Sequence, residues 1–204
     1  MTKLDEDPFA KGLEGLEALI ARAGGKEKGL PPVEKWNPEF CGDIDMEIRC
    51  DGAWYYKGTP IDRHSLVKLF STVLRKDKDG KTYLVTPVEL VGIRVEDAHF
   101  IAVEMNAHEV DGEPVLTFRT NTDDVVEAGA ENPLRFVTVE ENDGVKPYLL
   151  VRGRLEALLS RPVMYELIAQ GGEMEVDGKM MFAIRSNGVT FPIMPIDELA
   201  RLSA

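Results

Sequence analysis

Two short stretches decide how this chain is read: "KDKDGKTYLVTP", Lys76 to Pro87, and "EVDGKMMFAI", Glu175 to Ile184. The first contains Gly80-Lys81-Thr82, the letters that end a phosphate-cradling loop. That loop needs a glycine, four residues, then Gly-Lys-Ser/Thr, set between a strand and a helix. Here Arg75 stands where the first glycine belongs. The apolar spacing is helical before the stretch and strand-like after it, which reverses the required order. Asp79-Gly80 therefore reads as a hairpin turn, with glycine supplying the positive φ. The second stretch carries Asp177-Gly178-Lys179, followed by Met180 where a phosphate loop needs a hydroxyl.

The two turns are 98 residues apart (177 − 79), and the same offset carries Arg63 onto Arg161. It also carries Leu66, Leu69 and Phe70 onto Met164, Leu167 and Ile168. One register thus joins a helix start, a helix face and a turn, which points to internal duplication.

Around these anchors the chain divides into three parts. Residues 1–40 form an N-terminal helix and linker. Phe9, Leu13, Leu16, Leu19, Ile20 and Ala23 recur at helical steps, and Gly24-Gly25 stops the helix. Prolines extend the linker, and Trp36 and Phe40 are expected to pin it. Residues 41–109 form a first α+β domain. "DIDMEIRC" alternates, Asp51-Gly52 signals a hairpin, "AWYYKG" returns, and 63–74 is a one-faced helix. "KTYLVT", "VELVGIRV" and "HFIAVEM" follow as strands. Residues 110–204 repeat that order: "LRFVTVEE", a turn, "KPYLLVRG", a helical stretch over 154–170, then three strands. Proline suits the first turn of a helix, so Ser160 is expected to cap the main helix there. The expected fold is α+β: two related strand-rich domains, each with one main helix on an antiparallel sheet.

The chain has 204 residues and a formal net charge of −12, which disfavours nucleic acid and anionic membranes as partners. No secretory pattern opens it, so the cytoplasm is the expected compartment. Cys41 and Cys50 fit no zinc spacing and are expected to be free thiols. Cys50, in step with Ile44, Met46 and Ile48, is expected to face a core. No metal or cofactor motif is present: His64, His99 and His108 form no ligand pair, and no dinucleotide fingerprint or nucleophile elbow occurs.

The stretches "CGDIDMEIRCDGAWYYKGTPIDRHSLVKLF", "FRTNTDDVVEAGAENPLR" and "YLLVRGRLEALLSRPVMYELI" resemble the bacterial family known as domain of unknown function 1285. The resemblance runs from about Trp36 to about Pro195. It implies a duplicated α+β protein with a pleckstrin-homology-like second domain and no established activity. It further implies a nucleotide-like ligand between the domains and a role in signalling.

Candidate site residues follow from the sequence itself. Arg63 and Arg161 sit at helix starts, where a cation opposes the helix dipole unless it serves an anion or an ion pair with Asp62 or Glu166. Arg119, Asn121 and Asp124 belong to "FRTNTDDVV", read either as pocket-lining groups or as a turn in which Thr122 or Asp123 caps a short helix. Trp54 and Tyr56 share a strand face and offer either a stacking platform or core packing. Asp43, Asp45 and Glu47 read as a solvated strand face. The expected function is non-catalytic binding of an anionic, nucleotide-like small molecule. A scaffold for a protein partner and a hydrolase are the rival readings.

Overall fold

The computed structural model describes residues 18, 20, 29–139 and 144–202. The expected N-terminal helix lies outside them except at Ala18 and Ile20, which are helical, with Ile20 buried. The chain forms two compact units, one of residues up to Ala98 with Gly153–Leu155, the other of His99–Arg152 with Glu156 onward.

The first unit is built on β1 (Phe40–Ile48), β2 (Trp54–Tyr56), β3 (Thr59–Pro60), α1 (His64–Ser71), β4 (Leu74–Lys76), β5 (Thr82–Val85) and β6 (Leu90–Val95). The six strands lie in the order β3-β2-β1-β6-β5-β4. All neighbours are antiparallel except β1 and β6, which run parallel. Alternation in β1 sends Met46 and Ile48 inward and leaves Asp43 and Asp45 in solvent. Helix α1 buries Leu66, Val67 and Phe70, and Trp54 stacks on Phe70 with ring centroids 6.2 Å apart. Each such large side chain, fully buried, contributes about 1.5–3 kcal/mol. The helix stops at Ser71, short of the expected residue 74, because Leu74 pairs with Leu84 in a strand.

The second unit contains β7 (Phe100–Val110), β8 (Glu113–Thr120), β9 (Val125–Glu127), β10 (Leu134–Val139), β11 (Gly144–Arg152) and β12 (Leu155–Leu159). Then come α2 (Arg161–Ala169), β13 (Gly172–Val176), β14 (Lys179–Ser186), β15 (Val189–Pro195) and α3 (Ile196–Leu202). One sheet has the order β10-β11-β12-β7-β8-β9, with β12 and β7 parallel, and a second has the order β13-β14-β15. Both six-stranded sheets are therefore mixed. The units divide ahead of the 109/110 boundary because β7 pairs with both β12 and β8 of the second sheet.

The duplication is visible as element order. Three strands, a helix and three strands run from β1 to β6, and again from β10 to β15. Ser160 is the N-cap residue of α2, and Pro162 lies in its first turn. Residues 155–159, expected as helix, are strand β12. "LEALL" consists of helix formers, yet Leu155, Ala157 and Leu159 are buried on one strand face. Pairing on both sides of β12 overrides the local preference. The two anchor turns differ in build. Lys76 pairs with Thr82 across a longer loop in which only Gly80 has positive φ, +85°. Val176 pairs with Lys179 across Asp177-Gly178, both at positive φ, 51° and 76°. The second is a two-residue hairpin, the first a wider loop.

Candidate functional site

The polar run after β8 is consumed by the fold. Thr120 Oγ1 accepts the N–H groups of Thr122 (3.3 Å) and Asp124 (3.1 Å), and Thr122 Oγ1 donates to Asp124 Oδ2 at 2.9 Å. Arg152 Nη1 donates to Asp124 Oδ1 at 2.6 Å, and its guanidinium lies 4.9 Å from the Phe100 ring centre. Asn121 clamps β7: its N–H donates to Ile101 O at 2.8 Å, and its Oδ1 accepts Ile101 N–H at 3.0 Å. Arg119 is exposed and pairs with Glu104 at 2.7 Å and Asp123 at 3.5 Å. The expected short helix does not form. Asp123 takes φ +66° in a turn, and Val125 and Val126 enter β9.

Arg63 and Arg161 are both exposed at helix starts, one residue out of step: Arg63 is the N-cap residue of α1, whereas Arg161 is the first residue of α2. Trp54 is 2% exposed, so its ring is core; its buried Nε1 has no hydrogen-bond partner among the described residues. Tyr56 is half-buried, with Lys57 Nζ 5.3 Å from its ring centre. Glu47 accepts from Arg49 at 3.1 Å and from Arg94 at 2.8 Å, and these guanidinium bonds, the Arg49 one first, hold its carboxyl below the usual range. No group of three metal-ligating side chains occurs among the described residues. Both cysteines are free. Cys50 is exposed beyond the end of β1, contrary to its expected core position, because the strand ends at Ile48 and Cys50 N–H turns to Glu96 Oε2 at 2.8 Å.

The hairpin that opened the sequence reading proves to wall a cavity in the first unit. Asp77 N–H donates to Lys81 O (3.0 Å), and Gly80 N–H donates to Asp77 O (3.1 Å). Asp79 accepts Lys81 N–H at 2.9 Å and the Tyr83 hydroxyl at 2.7 Å. Those two bonds, the backbone one first, lower the Asp79 pKa. The Asp79 bond and burial push Tyr83 up to about 12. Beside this loop is a cavity of about 580 Å³ that includes Trp36, Asn37, Glu34, Lys78 and Arg154 in its lining.

One buried residue holds the cavity wall. Arg75, 7% exposed, donates from Nε and Nη2 to the Asp77 carboxylate (2.6 and 3.1 Å). Its Nη1 donates to Val33 O (3.0 Å) and Trp36 O (2.7 Å). Arg75 thus ties the linker to β4, while Asp77 and Asp79 are spent within the scaffold. Lys78 and Arg154 remain without an ion-pair partner among the described residues. Sequence reasoning missed them. Arg75 entered the sequence reading only as the residue standing where a phosphate loop needs its first glycine, and Arg154 sits in a stretch read as helical. Trp36, flagged as a pin, was the one legible signal. None of Arg63, Arg119, Asn121, Asp124, Arg161, Trp54 or Tyr56 lines this cavity.

Comparison with known proteins fits this architecture. The N-terminal domain of the domain of unknown function DUF1285 matches residues 31–98, and the C-terminal domain of the protein of unknown function DUF1285 matches 99–193. No curated protein matches the chain. The crystal structure of a DUF1285 family protein from Silicibacter pomeroyi DSS-3 is 44% identical. It has a TM-score of 0.79 and covers 90% of this chain and 98% of its own. A second, from Shewanella baltica OS155, is 23% identical with a TM-score of 0.49, over 62% of this chain and 91% of its own. The chain belongs to the DUF1285 family, whose two domain models together span residues 31–193.

Proposed function

We propose that this chain is a non-catalytic ligand-binding or sensor protein whose ligand is a nucleotide-like anion. The observation that carries the reading is the cavity beside the β4–β5 hairpin. It combines an aromatic ring at Trp36 with two cations, Lys78 and Arg154, that no described acid neutralises. A ring to stack on and cations for phosphate or carboxylate are what such a ligand requires. The volume, about 580 Å³, falls in the range of small-molecule sites. Asn37 supplies an amide for hydrogen bonding, and Glu34 suits a ribose hydroxyl or an exocyclic amine. The reading extends to signal transduction in a bacterial cytoplasm. The Silicibacter pomeroyi source of the 44% identical structure supports the bacterial part of that reading.

A thermal-shift screen of nucleotides and other anionic metabolites tests the proposal. A ligand at 100 times its Kd adds roughly 2.7 kcal/mol of stability, or about 5–10 °C for a chain of this size. The shift is expected to disappear in the double variant Lys78→Ala/Arg154→Ala and to persist in Arg119→Ala. No shift across the panel, or a shift indifferent to the double variant, contradicts it.

One observation favours the scaffold reading. Beyond Ala102, the rest of β7 through Val110 has a described ladder partner, β8, on one side only. A strand-forming partner peptide that protects the amides of 104–110 from exchange would support it.

A further inference from the structure

The hydrogen bonds of β8 fix which backbone groups of β7 face outward. Leu116 donates its N–H to Ser186 Oγ at 2.9 Å and accepts Ala128 N–H at 2.9 Å, so both its main-chain groups turn away from β7. Ala107, opposite Leu116, therefore sits in a non-hydrogen-bonded pair and points its own N–H and C=O to the far side of the strand. Pro114 has no N–H, and its carbonyl accepts Asn187 N–H at 2.8 Å, so Glu109 opposite it faces outward as well. Phe118 lies two residues on from Leu116, and alternation gives its partner Met105 the same orientation. Among the described residues no strand other than β8 pairs with β7 beyond Ala102. Met105, Ala107 and Glu109 thus form a row of open donors and acceptors.

This edge lacks the usual guards. Sheets blunt open edges with lysine, proline, short strands or a cover. Residues 103–110 contain no lysine or proline, and 106–110 are exposed. The register shift between Ala102 and Glu104 lies at the inner end and leaves the outer run regular. The edge is also held still from behind. Arg185 grips Glu113 near the hairpin end through two bonds of 3.1 Å. Fully buried Ser186 accepts Leu116 N–H and donates to Ala128 O at 2.8 Å. A strand already in place pairs at a small ordering cost.

We infer that β7 is a self-association edge, pairing antiparallel with β7 of a second copy across a two-fold axis at Asn106. Charge and phase select this occupant. Because residues 105, 107 and 109 carry the outward groups, a second copy can set only odd residues opposite odd and even opposite even. Glu104 and Glu109 therefore never face each other. With Asn106 on the axis, Met105 meets the second copy's Ala107 in a hydrogen-bonded pair, and Glu104 meets the second copy's His108. Arg119 engages Glu104 Oε2 at 2.7 Å, which leaves Oε1 to accept from the imidazole. The Asn106 carboxamide both donates and accepts, so it complements its own copy. Two-fold symmetry makes each contact twice. An edge contact of this length is small, so the dimer is reversible. The strand edge is that of the scaffold reading, with the chain itself as partner, and the inference is independent of the anion cavity.

Sedimentation equilibrium of the full chain up to millimolar concentration tests the inference, in about 0.15 M salt to screen the net charge of −12. A reversible monomer–dimer equilibrium is expected. Ala107→Pro removes an outward N–H that β8 does not use, and should weaken dimerisation at least ~10-fold while the dilute monomer keeps its melting temperature. A second test leaves the main chain intact. In a Cys41→Ser/Cys50→Ser background, Asn106→Cys should oxidise in air to a disulfide-linked dimer, because a non-hydrogen-bonded pair sets its Cα atoms about 4.5 Å apart. His108→Cys, which faces Glu104 rather than itself, should stay monomeric under the same oxidation. Three results overturn the inference: a monomer at every concentration, even one whose edge takes a peptide of another sequence; dimerisation indifferent to Ala107→Pro; or a cross-link at position 108 as ready as that at 106.

Discussion

Replacing Arg75 with methionine should destabilise the first unit by about 3 kcal/mol, and the structure supplies the terms. The side chain is 8% accessible and its Asp77 partner 32%. Hydrogen bonds to a charged group contribute about 1.5–3 kcal/mol each when buried, and stranding one partner adds a desolvation cost. Asp77 can turn to water, so its two bonds are discounted to about 2 kcal/mol together. The carbonyls of Val33 and Trp36 lose their donor, at about 0.5–1 kcal/mol between them once water replaces it. Methionine keeps much of the stem's packing, so the loss is chiefly polar. Urea unfolding followed by the fluorescence of Trp36 and Trp54 reads this directly. With a slope near 2 kcal/mol/M, the midpoint should fall by about 1.5 M. Arg75→Lys keeps the charge without the planar fork and should cost about half as much. A double-mutant cycle with Asp77→Asn should return a coupling of about 1–2 kcal/mol. A loss under about 0.5 kcal/mol, or zero coupling, would refute the view that Arg75 organises the linker.

Three further outcomes are expected. Tyr83 has its pKa raised to about 12, so its neutral form is favoured by folding; that stabilisation is whole below pH 10 and is lost as pH climbs towards 12. Absorbance titration at 295 nm should show a late-titrating component that Tyr83→Phe removes. Gly171→Ala would drive a methyl into the Phe182 ring and should cost about 1–3 kcal/mol, partly recovered by Phe182→Leu. Asp124→Asn, which weakens the partly buried pair with Arg152, should lower stability by about 2 kcal/mol, whereas Arg119→Ala, an exposed pair, should cost under about 1 kcal/mol. Thermal or urea unfolding of the two variants side by side separates them.

What could be read from sequence was periodic. The pairing of Asp79-Gly80 with Asp177-Gly178 located two turns with a helix ahead of each, but the helices match one residue out of the 98-residue register: Leu66 and Phe70 correspond to buried Val163 and Leu167, and Ile168, expected on the helix face, is exposed. Alternation in β1 and the helical face of Leu66, Val67 and Phe70 came through because burial imposes those periods directly. The failures share one cause. "LEALL" is helix-prone alone, and only its neighbours make it a strand. "NTDDVV" looks like a cap, but Asp124 is committed to Arg152, a partner 28 positions away. Arg75 is separated by about 40 positions from the carbonyls it holds, so nothing local marks it as a buried hub. The candidate site depends on such long-range pairing: which cations remain unpaired is visible only after Asp77 and Asp79 are seen to be occupied.

The anion-binding claim stands most directly on Trp36. The chain has two tryptophans, and Trp54 is buried, so Trp54→Phe leaves Trp36 as the sole indole reporter. Titrating this variant with the nucleotides that raise the melting temperature should give saturable quenching or a spectral shift of Trp36. Adding Lys78→Ala/Arg154→Ala should abolish it while leaving the unliganded spectrum unchanged. Ligand binding that leaves Trp36 emission unaltered, or that survives loss of both cations, would contradict the account.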